Sequence, residues 1–274
     1  MISVITPSKN IISQGREPFF RKAMAALYNQ TYQDFEHILV DSNSLDGTAD
    51  LLQEYLKKDE IDILISEKDK NLHEAINKGL KLAKGEYVYI MNTDDYLTTD
   101  NFFSKSLGAF KKYKDISYTH ADRIIKKRDG SSPTVKKGDE RVAFFRMPFR
   151  WQTMLIKREI YEEFGPFDER FFIASDYQFM LKMILARKKG HYFPETFICS
   201  LDGGITKDRE KCIEEVSLVL FEVYGKKYGL SLNDCKNIYK KTISQSLFAK
   251  INSNIKDDRI INSLKYCYEN EKAN

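Results

Sequence analysis

The sequence predicts an α/β protein, a mixed but mainly parallel sheet flanked by helices, followed by a helical C-terminal extension. Three observations predict it. Over residues 1–100 short apolar runs alternate with amphipathic stretches of helical period, the βαβα rhythm that calls for crossover helices and a parallel sheet. Tyr87-Val88-Tyr89-Ile90-Met91 is apolar or aromatic without alternation, as a strand covered on both faces must be, and it leads into Asp94 and Asp95. From Asp208 onward the chain is lysine-rich, with Val216, Leu220, Val223 and Tyr224, then Ile238, Ile243, Leu247, Phe248 and Ile251 at helical spacing.

Taken in order, Ile2 to Thr6 reads as a first strand stopped by Pro7, with Ser8-Lys9-Asn10 as its loop. Phe20, Met24, Leu27 and Tyr28 then recur at helical spacing behind Pro18, a residue suited to a first turn. His37 to Val40 is a second strand delivering Asp41, and the turn-rich Ser42 to Thr48 leads to a helix marked by Leu52, Tyr55 and Leu56. Ile61 to Ile65 is a third strand. The charged loop Ser66 to Asn71 opens a helix carrying Leu72, Ile76, Leu80 and Ala83, ended by Gly85. Beyond Asp95 the texture turns α+β. A helix carries Phe103, Leu107 and Phe110; two short strands, Ile116 to His120 and Arg123 to Lys127, precede an Asp129-Gly130 hairpin turn. Thr153 to Ile156 reads as a strand, Glu159 to Phe164 as a short helix closed by Gly165-Pro166, and Ser175 as the N-cap of a helix with Asp176 in its first turn.

The 274 residues suffice for one large domain with an appendage, and 42% hydrophobic with 31% charged residues is the composition of a folded globular protein. A net charge of +4, from 44 basic and 40 acidic residues, is too balanced to indicate nucleic acid as a partner. Cys199, Cys212, Cys235 and Cys267 lack the close pairs of zinc or redox motifs and read as reduced structural thiols. No charged leader precedes the first strand, and no run of about 18 apolar residues could span a bilayer. The expectation is a cytoplasmic protein, at most peripheral on the inner face of the cell membrane.

Polar loops therefore fall on one edge of the sheet, where open α/β proteins bind ligands. Asp94 and Asp95 either start a turn there or meet a metal or a ribose. With Asp41 they could seat a nucleoside diphosphate, an acid or amide reading the base, another acid the ribose, and a divalent cation bridging the phosphates. No GxxxxGK[ST] loop or GxGxxG turn is present, so metal and basic side chains would have to hold the phosphates.

The motifs carry a family resemblance. Ser3-Val4-Ile5-Thr6-Pro7, Gln30-Thr31-Tyr32, Glu36 to Asp41, Asp46-Gly47-Thr48, Ser66-Glu67-Lys68-Asp69, Asn77-Lys78-Gly79, Gly85-Glu86-Tyr87 and Asn92-Thr93-Asp94-Asp95 occur in the order found in family 2 glycosyltransferases. The chain resembles these inverting, nucleotide-sugar-dependent enzymes of GT-A fold, a Rossmann-like architecture, over residues 1–205. The resemblance implies a nucleotide-sugar-binding half (1–100), an acceptor-side half (101–205) and an extension (206–274). It places Thr6 and Pro7 in the nucleoside pocket, Asp41 on the uracil edge, and Asp69, Lys70 and Asn71 near base and diphosphate. Asp94 would approach the ribose and Asp95, last acid of the DxD-like motif, would bind Mn²⁺ or Mg²⁺. Gly165-Pro166-Phe167-Asp168 and Ala174-Ser175-Asp176-Tyr177 are similar to the segment ending in the catalytic base, which assigns that role to Asp176. Trp151-Gln152 stands where relatives often have His-Gln; Trp151 would either stack on a sugar or pack in the core. Asp202-Gly203-Gly204-Ile205-Thr206 corresponds to the family's glycine-rich segment. The implied donor is a UDP-linked hexose or N-acetylhexosamine and the acceptor a saccharide or lipid-linked hydroxyl.

Rival functions fit less of the chain. Asp46-Gly47-Thr48 matches the end of the DxDGT signature of haloacid dehalogenase-like phosphatases, but Ser44 occupies the nucleophile position. The arginine-containing glycine loop of sugar-phosphate nucleotidyltransferases is missing. A non-catalytic nucleotide-sugar-binding or assembly subunit is the reading from another class, with the C-terminal helices as its interaction surface. Lys226, Lys227, Lys236, Lys240, Lys241 and Lys250 are a solvated face, a site of attachment to an anionic membrane, or part of a homodimer contact.

Overall fold

The computed structural model describes residues 1–127, 131–202 and 208–271. The expected Asp129-Gly130 turn and most of the Asp202 to Thr206 segment lie outside them. The chain forms two compact units, one made of Met1–Gly138, Arg150–Glu169 and Lys188–Asp202, the other of Asp139–Phe149, Arg170–Arg187 and Gly203–Asn274.

The first unit opens with the alternation read from the sequence: β1 (Ile2–Ser8), α1 (Glu17–Tyr28), β2 (Phe35–Asp41), α2 (Thr48–Leu56), β3 (Ile63–Ser66), α3 (Leu72–Leu82) and β4 (Tyr87–Ile90). It continues with β5 (Tyr96–Leu97), α4 (Phe102–Lys112), β6 (Ile116–Lys126), β7 (Thr134–Lys136), β8 (Met154–Lys157), α5 (Arg158–Phe164) and β9 (Lys189–Leu201). Among the described residues the sheet has nine strands in the order β3-β2-β1-β4-β8-β6-β9-β5, with β7 beside β6. β3, β2, β1 and β4 are parallel, whereas β8 runs antiparallel to both β4 and β6. One core cluster joins α1 and α4 to the strands, centred on Tyr89 against Phe102 and Phe103 at 5.5 and 5.4 Å and on Phe102 against Phe197 at 5.3 Å.

Four elements differ from expectation, each for a local reason. β1 runs through Pro7 because residues 3, 5 and 7 turn their backbone groups toward β4, which has ended by then: its register with β1 stops at Ile5↔Ile90. The N–H that Pro7 lacks has no ladder partner to lose. Ala121-Asp122 does not break a strand in two; β6 is continuous and absorbs the irregularity as register shifts against β9. β9 itself escaped the sequence reading because Gly190, Pro194 and Glu195 punctuate it. Gly85 does not terminate α3, which ends at Leu82 with Ala83 as its C-cap. Its role is close approach, since a Cβ there would lie 2.5 Å from the Ser3 nitrogen.

The second unit is helical: α6 (Ser175–Leu185), α7 (Arg209–Leu220) passing into a π-helical turn at Phe221–Gly225, α8 (Leu232–Tyr239), α9 (Gln245–Asn254) and α10 (Asp258–Glu271). Residues 139–149 are threaded into it. The Tyr177 hydroxyl donates to the Ala143 carbonyl at 2.5 Å, the Tyr224 hydroxyl to the Phe144 carbonyl at 2.8 Å, and the Phe144 N–H to Ser263 Oγ at 3.3 Å. These bonds satisfy backbone groups that burial would otherwise leave unpaired. No helix of the described residues is long and apolar enough to cross a membrane.

Candidate active site

Asp41, at the carboxyl end of β2, is fully buried and gathers three strand ends. Its Oδ1 accepts from Ser8 Oγ (2.7 Å) and Ser44 Oγ (2.6 Å), its Oδ2 from the Ser44 N–H (2.8 Å) and Ser66 Oγ (3.3 Å). Ser8 ends β1 and Ser66 ends β3, so one carboxylate fixes the rim of the parallel sheet. In the loop that follows, Asp46 accepts from the Ser13 N–H at 2.7 Å and the Thr48 N–H at 3.2 Å. Burial acts to raise the Asp46 carboxyl, but these hydrogen bonds outweigh it and hold it well below the usual range. Gly47, at φ +86°, is the N-cap of α2, so Asp46-Gly47-Thr48 builds a loop rather than a phosphatase nucleophile.

Thr6 and Pro7 are both buried on β1. The Thr6 hydroxyl lies 2.9 Å from His37 Nε2, while His37 Nδ1 lies 3.1 Å from the Glu60 carbonyl. A carbonyl can only accept, so Nδ1 carries the proton and Nε2 accepts from Thr6. Burial pushes this imidazole down to about 4, which keeps it neutral.

The motif around α3 divides into distinct jobs. Asn71 is the N-cap, its Oδ1 accepting from the Glu74 N–H at 3.0 Å and its Nδ2 donating to the Glu169 carbonyl at 2.9 Å. Lys70 is exposed, 3.9 Å from the Glu169 carboxylate. Asp69 is buried, and burial raises its carboxyl although Lys78 Nζ, 2.8 Å from Oδ1, works against that. Its Oδ2 accepts no hydrogen bond among the described residues. Asn77 exchanges two hydrogen bonds with the backbone of Phe167, both at 2.8 Å, and Gly79 lets α3 approach β1, where a Cβ would lie 2.5 Å from Ile5 Cγ2.

Asp94 and Asp95 lie in the turn between β4 and β5. Asp94 Oδ2 is 3.7 Å from Arg16 Nε, at the N-cap of α1. Asp95 is buried and accepts from Asn92 Nδ2 at 2.8 Å. Burial, and then the charge of Asp94, push its carboxyl up to about 6, opposed by Asn92, Ser200 and Arg123. The sheet explains those neighbours: Tyr96 of β5 pairs with Cys199 of β9, which pairs with Ile124 of β6, bringing Asp95, Ser200 and Arg123 to one place. Arg123 is pushed down to about 10, first by burial and then by Arg150, while Asp95 and Asp202 pull it back. Sequence reasoning missed both arginines. The signal for Arg123 was a cation directly before the apolar pair Ile124-Ile125, read only as the first residue of a short strand.

The donor set suits a hard divalent cation. Among the described residues no three His, Cys, Asp or Glu side chains gather as a cage. Asp95 instead offers a buried carboxylate, its pKa raised first by burial and then by the charge of Asp94. One or two acids completed by substrate phosphates and water is how Mg²⁺ is commonly held.

Trp151 is buried, edge-on to His73 at 5.7 Å and to Phe167 at 5.8 Å. Its Nε1 and the Oε1 of half-buried Gln152 find no hydrogen-bond partner among the described residues. Asp176 belongs to the second unit, buried in the first turn of α6, where its Oδ1 accepts from the Tyr177 N–H at 2.8 Å. Ser175 is not the N-cap: it is the first helical residue and its Oγ makes no hydrogen bond among the described residues, while Ala174 occupies the cap position.

The fold is that of the GT-A glycosyltransferases. The chain aligns with S. aureus TarS 1–349, solved in complex with UDP-GlcNAc, at a TM-score of 0.65 and 15% identity over 99% of this chain and 91% of that one. It aligns with the mannosyltransferase PcManGT from Pyrobaculum calidifontis, solved with GDP-Man and Mn²⁺, at a TM-score of 0.60 and 17% identity over 99% and 79%. Residues 3–184 match the model of glycosyl transferase family 2, and the chain belongs to that family. Similar relatives in Bacillus subtilis (strain 168) include the putative teichuronic acid biosynthesis glycosyltransferase TuaG, 36% identical over 35% of this chain, and the uncharacterized glycosyltransferase EpsJ, 31% identical over 37%. The matched stretches span 36% and 28% of those proteins, about a third of their length.

Proposed function

We propose that this family 2 glycosyltransferase is an inverting, divalent-cation-dependent hexosyltransferase. It moves a hexose or N-acetylhexosamine from a UDP-linked donor to a hydroxyl of a saccharide or lipid-linked acceptor in surface polysaccharide or glycolipid synthesis. The observation that carries this reading is the buried Asp95 carboxyl, raised to about 6 and set beside Arg123 at the end of a parallel sheet. That combination suits an anion and a cation bound together. Held by Asp95, Mn²⁺ or Mg²⁺ would supply Lewis-acid stabilisation of the departing diphosphate.

The chain's own groups do the rest. Asp41 and its serines frame the pocket for the base, with Thr6 and Pro7 behind them and Asp69, Lys70 and Asn71 at its side. Asp94 takes a ribose hydroxyl, Arg123 and Arg150 face the diphosphate, and Trp151-Gln152 borders the acceptor. Asp176 accepts the proton of the acceptor hydroxyl as its oxygen bonds to the anomeric carbon. The bond from that carbon to the diphosphate oxygen breaks at the same time, leaving its electron pair on the nucleotide.

The test is nucleotide release from labelled donor with Mn²⁺, alongside calorimetric binding. Asp176→Asn is expected to lose about 10² to 10⁴ in rate while binding donor as the wild type does. Full activity in that variant removes the assignment. A thermal-shift screen of UDP, GDP and dTDP sugars identifies the donor, a selective ligand stabilising in proportion to its affinity.

A further inference from the structure

The chain enters α6 with no side-chain cap of its own at the N-cap position. Ala174, the cap residue, has no polar side chain, and Ser175 Oγ has no hydrogen-bond partner among the described residues. The carboxylate of Glu215, on α7, takes up the task. Its Oε1 accepts from the Phe172 N–H at 3.0 Å, and its Oε2 accepts from the Ile173 N–H at 2.6 Å and the Ala174 N–H at 3.0 Å. Three consecutive backbone N–H groups closing on one anion form a charge-assisted nest, stronger than neutral bonds would be. The same side of the helical run adds two ties. Lys211 Nζ stands 4.2 Å over the Phe172 ring, and Glu222 receives Arg170 through two guanidinium bonds of 3.2 and 3.0 Å.

From this geometry we infer that Glu215 is a positioning residue for Asp176, setting where the base-bearing first turn of α6 begins. The inference rests on the assignment of Asp176 as the base. It gives the start of the C-terminal extension a part in the reaction: Lys211, Glu215 and Glu222 hold residues 170–174, and Asp176 follows two positions later. No polar side chain of the 170–175 segment duplicates the task at the cap, so the anchor is supplied from a distance of 41 to 43 positions in sequence.

The experiment compares Glu215→Ala, Glu215→Gln, Asp176→Asn and the double variant Asp176→Asn/Glu215→Ala in the full chain. Kinetics of transfer are read beside amide hydrogen exchange at Ile173 and Ala174. Glu215→Ala should lower kcat about 10²-fold, the scale expected for a displaced catalytic group, and leave donor KM within about twofold. Glu215→Gln can keep one oxygen at the Oε2 position, where two of the three bonds are made, and should retain more activity than the alanine variant. Exchange at Ile173 and Ala174 should quicken in the order wild type, Gln, Ala. In the Asp176→Asn background the Glu215→Ala change should cost nothing further, because the group it positions is already gone. The same fold-loss in both backgrounds, or wild-type kcat in Glu215→Ala, would overturn the inference while leaving Asp176 as base. Wild-type kcat in Asp176→Asn would instead overturn the base assignment and the positioning role with it.

Discussion

Asn92 donates from Nδ2 to Asp95 Oδ2 at 2.8 Å, so a buried acid is held by the amide three residues before it. That bond favours the charged form, yet burial and Asp94 prevail and the carboxyl is raised from 3.8 to about 6. A carboxyl whose folded pKa exceeds its unfolded one stays protonated longer in the folded chain. Its contribution is therefore most favourable below the unfolded value and declines as pH rises toward the folded one. The decline amounts to about 3 kcal/mol, complete by roughly pH 7. Without divalent cation, Asp95→Asn should match the wild type in urea unfolding near pH 4 and exceed it near pH 7. Equal midpoints at both pH values would refute the strained, buried carboxylate.

Divalent cations should reverse that penalty. A metal competes with the proton for Asp95, so its affinity rises as pH passes through the carboxyl's pKa. The thermal shift produced by Mn²⁺ with UDP should be larger near pH 7.5 than near pH 5 in wild-type protein, and Asp95→Asn should lose the pH dependence. A shift that persists unchanged in the variant would move the metal to another ligand.

Arg123 should discriminate between ligands with and without phosphates. Its guanidinium is partly desolvated and, among the described residues, forms no ion pair or hydrogen bond; Arg150 repels it while Asp95 and Asp202 attract it. A diphosphate placed there gains a charge-assisted contact worth about 1.5–3 kcal/mol. Arg123→Gln should weaken UDP by roughly 10- to 100-fold and uridine hardly at all, measured by calorimetry. Equal loss for both ligands would assign Arg123 to the fold.

The parallel half of the sheet was legible because β1, β2 and β4 are buried as near-continuous apolar runs, with half-buried β3 at the edge, and each crossover helix keeps its period. Asp41 and Asp95 were legible for the same reason, as acids at the ends of apolar runs. Other features depend on pairing that no local pattern carries. β9 received no assignment from local pattern, since Gly190, Pro194 and Glu195 interrupt it and only its ladder with β6 offsets them. Arg123 acquires meaning only when β9 brings Ser200 and Asp95 beside it. Glu215 lies on an amphipathic helix like many others, and its partners are backbone groups, which leave no trace in residue identity. Ser175 misled because a serine before a helical run is the usual cap, whereas here the anion comes from α7.

Asp41 remains to be separated into framework and recognition. Its four in-plane acceptor positions are all filled by the chain, and Ser66 Oγ at 3.3 Å is the longest of the four bonds. A base imide N–H can be accepted if Ser66 turns away, while the Ser44 N–H stays. Asp41→Ala should orphan the Ser44 N–H and cost about 3 kcal/mol, read as a lowered urea midpoint. Asp41→Asn can keep its oxygen on the Ser44 N–H and turn its amide toward the Ser8 and Ser44 hydroxyls, which are able to accept. Its stability should fall by only about 1 kcal/mol. The amide then presents a donor where the imide N–H needs an acceptor, so UDP should weaken at least tenfold, or about 1.4 kcal/mol. Wild-type UDP affinity in a stable Asp41→Asn protein would leave Asp41 as the clamp on three strand ends and send the search for the base-reading group to Oδ2 of Asp69, which accepts no hydrogen bond among the described residues.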